Sequence, residues 1–223
     1  MTSCVVIVLG GDQPDERVRG YVPDGARVIA ADEGVDHAIA LGLTIDLAVG
    51  DMDSVSLAGL AHLQQERIPT ERHRPDKEAS DGELALHAAM RSQPDRIVLL
   101  CGGGQDRLDH LLITMAMLTS PNLFGARLEA WLGATHVMVL RDDETVQWAG
   151  RSGRMVTLLA VNGSAIGVRT VGLTFPLRDE SLQPWSSRGL SNQTIDGPAE
   201  VSLRHGCLLV IRPNAAADLP NIE

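Results

Sequence analysis

The segment DLAVGDMDSVS (46–56) ends an apolar run, Leu47-Ala48-Val49, in Gly50 and two aspartates one residue apart, Asp51 and Asp53. Neighbouring carboxylates repel unless one is protonated or a cation lies between them, and an oxygen pair of this kind suits Mg2+. The competing reading is that Asp53 or Ser54 caps a helix beginning near Val55. That accounts for Asp53 and leaves Asp51 unexplained, so the pair stands as a candidate metal site. A second acidic run, DKEASD (76–81), precedes a helix-like stretch. Ser80-Asp81-Gly82-Glu83 fits the S-x-x-E capping box, whereas the charges of Asp76, Lys77 and Glu78 exceed what a cap requires. A third segment, GGGQDRLDH (102–110), follows an apolar run directly. Gly102, Gly103 and Gly104 let the backbone approach a ligand closely, amides at a helix start favour phosphate oxygens, and Arg107 offers a charge-assisted fork. The G-K-[ST] ending of a P-loop is missing, and Arg107 occupies the third-glycine position of G-x-G-x-x-G. The alternative here is a glycine-rich turn with an Arg107–Asp109 surface pair. The histidines show no metal-ligand spacing; His110 differs from the rest only through its Arg107 and Asp109 neighbours.

The Asp51/Asp53 and 102–110 clusters, with Gly10-Gly11-Asp12 and Asp32, follow short apolar runs: CVVIVLG (4–10), RVIAAD (27–32), DLAVGD (46–51) and RIVLLCG (96–102). Between them lie VDHAIALG, SLAGLAHLQQE and GELALHAAMR, and after the last comes DHLLITMAML. Runs that are apolar throughout and separated by helices indicate a parallel sheet covered on both faces. The expected fold is therefore α/β: a doubly wound, mainly parallel sheet domain over residues 1–135. In such a sheet ligands bind beyond the carboxyl ends of the strands, where Gly10-Gly11-Asp12, Asp32, Asp51/Asp53 and 102–110 fall, while DKEASD lies in the loop before a helix that folding can bring to the same rim. Beyond that point HVMVLRD, ETVQWAG, RMVTLLAV, AIGVRTVGLTF and AEVSLRHGCLLVIR read as short strands joined by turn residues, predicting a small antiparallel β-sandwich or barrel over residues 136–223.

A chain of 223 residues with a net charge of -10 lacks the clustered Lys and Arg of a nucleic-acid surface. No apolar run approaches the roughly 20 residues of a membrane span. The first residues carry neither the basic region nor the cleavage site of a secretory signal. Cys4, Cys101 and Cys207 are isolated within or beside apolar runs, which argues against a disulfide framework or a thiolate metal site. A cytoplasmic protein with no membrane or nucleic-acid partner is expected.

In order and spacing, the motifs resemble those of the thiamine pyrophosphokinase (thiamine diphosphokinase) family. The segments are AADEGVDHAIALG (30–42), GDMDS (50–54), DKEASD (76–81), GGGQDRLDH (102–110) and SSRGLSNQ (186–193), so the likeness spans nearly the whole chain. The resemblance implies Mg2+-dependent transfer of a diphosphate group from ATP to the hydroxyl of thiamine, with release of AMP, by a homodimer. It implies Asp51, Asp53 and Asp81 as Mg2+ ligands, with Asp76 or Glu78 as a further one. It implies Asp32, Lys77, Arg107 and the 102–104 glycines on the nucleotide side, and Asp109 either orienting Arg107 or lying near the thiamine hydroxyl. Ser191 and Asn192 would contact thiamine. Trp185, just before that segment, either stacks on the thiamine rings or packs between hairpins. Departures from the family pattern are Glu33 where glycine is usual, Glu78 for Asp and Ser80 for Thr. Two other readings fit parts of the sequence: an aspartyl-nucleophile phosphatase, since GDMDSV satisfies D-x-D-x-[TV], and a non-catalytic nucleotide or thiamine diphosphate sensor.

Overall fold

A computed structural model of the protein describes residues 3–74, 76, 78–104, 107–123 and 125–220. Two compact units emerge: Met1–Ala134 with Ala216–Glu223, and Thr135–Ala215.

In the first unit the β-branched runs form strands β1 (Cys4–Val8), β2 (Arg27–Ala31) and β3 (Leu47–Gly50), followed by β4 (Thr70–Arg72), β5 (Arg96–Cys101) and β6 (Arg127–Leu132). All pair in parallel, in the order β4-β3-β2-β1-β5-β6. Val6, Ile7, Val8, Ile29, Ala30 and Leu99 are fully buried, as strands covered on both faces require. Helices α1 (Gly34–Ala40), α2 (Leu57–Gln65), α3 (Asp81–Met90) and α4 (Leu108–Leu118) supply the crossovers. The strand order reverses between β1 and β5. Parallel crossovers are right-handed, so the connections on either side of that reversal cover opposite faces and leave a crevice at the β1 and β5 carboxyl ends.

Strands β4 and β6 carry no clear strand pattern in the sequence. Thr-Glu-Arg at β4 is a three-residue edge strand with no apolar alternation. In β6 the buried Glu129 interrupts an otherwise apolar run; its carboxylate takes Arg96 and the Tyr21 hydroxyl as partners.

The second unit is antiparallel. Strands β7 (Thr135–Leu140), β8 (Thr145–Gly150), β9 (Met155–Val171), β10 (Arg178–Leu182), β11 (Asn192–Gln193), β12 (Gly197–Ser202) and β13 (His205–Arg212) run in the order β7-β13-β9-β12-β8, with β10 and β11 also on β9. Met155–Val161 and Ala165–Val171 of the runs RMVTLLAV and AIGVRTVGLTF belong to a single 17-residue strand. Asn162 and Gly163, both at positive φ, mark an irregularity where its pairing with β13 shifts register, so one strand serves two neighbours. Met138, Leu158, Leu177, Val201 and Leu208 lie in the core this builds. The chain after β13 turns at Ala215–Asp218 with Ala216 fully buried and its amide on the Ala134 carbonyl. Among the described residues no helix is long and apolar enough to cross a membrane.

Candidate functional site

The helix after β3 is capped neither by Asp53 nor by Ser54. Ser56 accepts from the Gly59 amide at 3.0 Å and starts α2 at Leu57, while Asp36 of α1 takes the Ser56 amide at 2.8 Å. The three residues before it are thereby released for other work. Ser54 gives its hydroxyl to Asp32 Oδ2, and the Asp53 amide donates to Asp51 Oδ1 at 3.1 Å. Met52 turns through a left-handed conformation (φ 67°), so the chain folds back between the two aspartates. Asp32, also left-handed (φ 48°), ends β2 beside them. One carboxylate oxygen from each of Asp32, Asp51 and Asp53 lies within 4.8 Å of the others.

Gly50 is what allows this density. Its φ is +144°, and a Cβ there would lie 2.8 Å from Asp81 Oδ1 and 3.2 Å from the Asp32 Cβ. Asp81 arrives at the first turn of α3, whose cap is the expected Ser80, accepting from the Glu83 amide at 3.2 Å. The crowding is visible in Asp32. Burial raises its pKa and the Asp81, Asp51 and Asp53 charges raise it further, while the Ser54 hydroxyl opposes the shift. Asp32 Oδ1 is buried with no hydrogen-bond donor among the described residues. A solvent-shielded carboxylate oxygen facing like charges is a position for a hard cation, and an all-oxygen donor set fits Mg2+.

Next to this cluster lies a cleft of about 430 Å³ at the β1–β5 reversal, lined by the Gly10-Gly11-Asp12 turn, Asp32, Asp81 and the start of α4. The glycines of 102–104 serve different ends. Gly102 is where the Asp12 turn crosses β5, since a Cβ would fall 2.1 Å from the Asp12 Cβ; Gly104 is left-handed (φ +72°) against Leu111; Gly103 is open. Arg107 and Asp109 form a two-point pair, Nε to Oδ1 at 3.0 Å and Nη2 to Oδ2 at 2.8 Å. The pair lies on the cleft wall with both side chains exposed, and the guanidinium holds the Asp109 carboxyl well below the usual carboxylate range. Cys101 is no thiolate: burial pushes its thiol up to about 12.

Not every expected residue joins the cluster. Asp76 pairs with Arg74 at 3.1 Å on the open surface, and Glu78 is exposed. Lys77 lies outside the described residues. In the second unit, Asn192 is buried and its amide is spent on the chain itself. Oδ1 accepts from the Phe175 and Gln193 amides at 3.0 and 2.9 Å, and Nδ2 donates to the Phe175 carbonyl at 2.6 Å. Ser191 is exposed, its amide on Thr157 Oγ1 at 3.2 Å. Trp185 is 84% exposed and so is not packed between hairpins. Asp32, expected on the nucleotide side, stands beside Asp51 and Asp53. The signal was present in its position at the end of the strand neighbouring β3.

Fold and cleft define a doubly wound α/β protein with an acidic site at its topological switch point, joined to an antiparallel β unit. Residues 20–130 match the family model described as the thiamin pyrophosphokinase catalytic domain. A thiamine pyrophosphokinase of Bacillus subtilis is 23% identical over 209 residues, covering 92% of this chain and 96% of the relative. The crystal structure of thiamine pyrophosphokinase from Bacillus subtilis superposes with a TM-score of 0.82 at 21% identity, covering 95% of this chain and 99% of that one. That of thiamin pyrophosphokinase from Candida albicans gives 0.73 at 11% identity, over 95% and 89%. The chain belongs to the thiamin pyrophosphokinase family.

Proposed function

We propose that the protein is a thiamine diphosphokinase, transferring a diphosphate group from ATP to the primary hydroxyl of thiamine and releasing AMP. The observation that carries the metal-dependent part is the Asp32–Asp51–Asp53 cluster with its buried, undonated Asp32 oxygen beside the switch-point cleft. These three residues would hold Mg2+, with Asp81 alongside. Bound there, Mg2+ would offset triphosphate charge and orient the group for in-line attack. Asp76 and Glu78 are left as outer carboxylates.

The chain's own groups do the rest. Arg107 lines the cleft with its Nε and Nη2 paired to Asp109, and its remaining N–H donors would contact phosphate. Gly103, open in the same loop, would let the nucleotide approach the backbone, and Lys77, outside the described residues, is carried as a phosphate contact by the family resemblance alone. Asp109 serves as the group that orients Arg107. The second unit, read as a small β-sandwich, would take thiamine through Ser191 and the exposed ring of Trp185. Asn192 contributes by fixing the Phe175 loop rather than by touching substrate. A cytoplasmic homodimer is the proposed working form.

The test is incubation with ATP, Mg2+ and thiamine, with products resolved by chromatography. AMP and thiamine diphosphate in equal amounts are expected. ADP with thiamine monophosphate would mean a different kinase. A phosphorylated Asp51 during turnover would mean a phosphatase. Binding of both substrates with no product would mean a sensor.

A further inference from the structure

Glu33 is one of the cleft carboxylates that the cation cluster leaves out. It occupies the residue before α1, yet its side chain makes no capping bond to that helix. Instead Oε2 accepts from the Gly11 amide at 2.9 Å, reaching back to the turn after β1. The start of α1 is pinned for this. A Cβ on Gly34 would lie 2.1 Å from the Val8 carbonyl oxygen, and His37 Nδ1 sits 3.0 Å from the Leu9 carbonyl oxygen. No Lys, Arg or His among the described residues pairs with Glu33.

The charge balance of the cleft gives this contact a consequence. Asp12, Asp32, Glu33, Asp81 and Asp109 line it against Arg107 and His110, and Arg107 is already bonded to Asp109. A cation at Asp32–Asp51–Asp53 offsets that cluster but leaves Glu33 with its charge. Glu33 also occupies a strand-end amide of the kind that otherwise donates to phosphate oxygens. A polyanion entering without a cation therefore meets an added negative charge and one fewer donor.

We infer that Glu33 is a selectivity residue, held against the Gly11 amide, that makes the cleft take nucleotide as its divalent-metal complex and reject the bare polyanion. The inference rests on the nucleotide reading of the cleft given above. Glu33 touches no reacting atom in this account; it acts through the field of the cleft and through Gly11.

The test measures binding of α,β-methylene-ATP by calorimetry, once in EDTA and once in saturating Mg2+, for the wild type, Glu33→Gln and Glu33→Ala. Glutamine keeps an acceptor for Gly11 and removes only the charge; alanine removes both. In EDTA, Glu33→Gln should bind on the order of fivefold more tightly than wild type, the scale of one unit charge a few ångströms from a polyanion in a partly solvated site. Glu33→Ala should bind more tightly still. The Mg2+ complex should shift less than the bare nucleotide in both variants, so the ratio of the two dissociation constants narrows. A ratio unchanged in Glu33→Gln, with melting temperature retained, overturns the inference and leaves Glu33 a loop tie. Wild type that binds neither form overturns this inference and the nucleotide reading together.

Discussion

Replacing Asp32 by Asn should make the metal-free protein more stable and the active protein useless. Oxygens of Asp32, Asp51 and Asp53 lie within 4.8 Å of one another. At an effective dielectric of about 40–80, two unit charges at that separation repel by roughly 0.9–1.7 kcal/mol. Asp32 faces two such neighbours, so neutralising it relieves about 2–3 kcal/mol before solvent and salt screen the exposed Asp53. Against this, the Ser54 hydroxyl exchanges a charged acceptor for a neutral one, a loss of about 1 kcal/mol. The balance is a stabilisation of about 1–2 kcal/mol, or a rise of roughly 2–8 °C in melting temperature for a chain of this size.

The sign of the effect depends on the cation, which is what makes it diagnostic. In EDTA, Asp32→Asn should melt above wild type. On adding Mg2+ the wild type should gain stability by mass action while the variant gains little, and turnover should be lost. Paired thermal scans in EDTA and Mg2+ decide the matter. A variant that melts below wild type in EDTA would show that Asp32 is held by something other than a strained like-charge cluster. A variant that keeps the full Mg2+ gain would remove Asp32 from the metal site.

Three further outcomes follow from single contacts. Gly50→Ala forces a Cβ to within 2.8 Å of Asp81 Oδ1 at a φ of +144°, so urea unfolding should show a loss of about 2–4 kcal/mol from strain and overpacking together, with activity reduced further than stability explains. Asp51→Asn should abolish turnover with circular dichroism unchanged; retained activity would refute its role at the metal. Glu71, on β4, bonds Arg91 at the end of α3, and that bond lowers its pKa, with His73 helping. A lowered folded-state pKa gives stability that is present above the ordinary carboxylate range and lost as pH falls through the folded value. Glu71→Gln should therefore melt below wild type at neutral pH and match it in strong acid.

The parallel half of the fold could be read because its strands are buried on both faces and so lack polar residues, as in Val5–Val8 and Ile97–Leu100. β4 and β6 escaped because their stability is borrowed. Thr70–Arg72 is an edge held by pairing to β3, and Glu129 is tolerated in the sheet only because Arg96 and Tyr21 meet its charge. Nothing local in Thr-Glu-Arg or Arg-Leu-Glu-Ala-Trp-Leu announces those partners. The long strand β9 was split for the same reason, since Asn162-Gly163 reads as a turn until two different neighbours pull the chain through it.

The site shows the same division between local and long-range information. Ser80 was legible as a cap because its partner, the Glu83 amide, is three residues away. The choice among Asp53, Ser54 and Ser56 was not legible. Asp36, from a different helix, secures the Ser56 amide and hydroxyl and so moves the cap to Ser56. That shift releases Asp53 to face Asp51 across a left-handed Met52 and sends the Ser54 hydroxyl to Asp32. The proposed metal cluster thus depends on a helix cap placed three residues downstream of Asp53. Ser56→Ala, which touches none of the cluster's carboxylates, should accordingly weaken Mg2+-induced stabilisation as well as cost about 1 kcal/mol of fold stability; loss of stability with the Mg2+ response intact would separate the cap from the cluster.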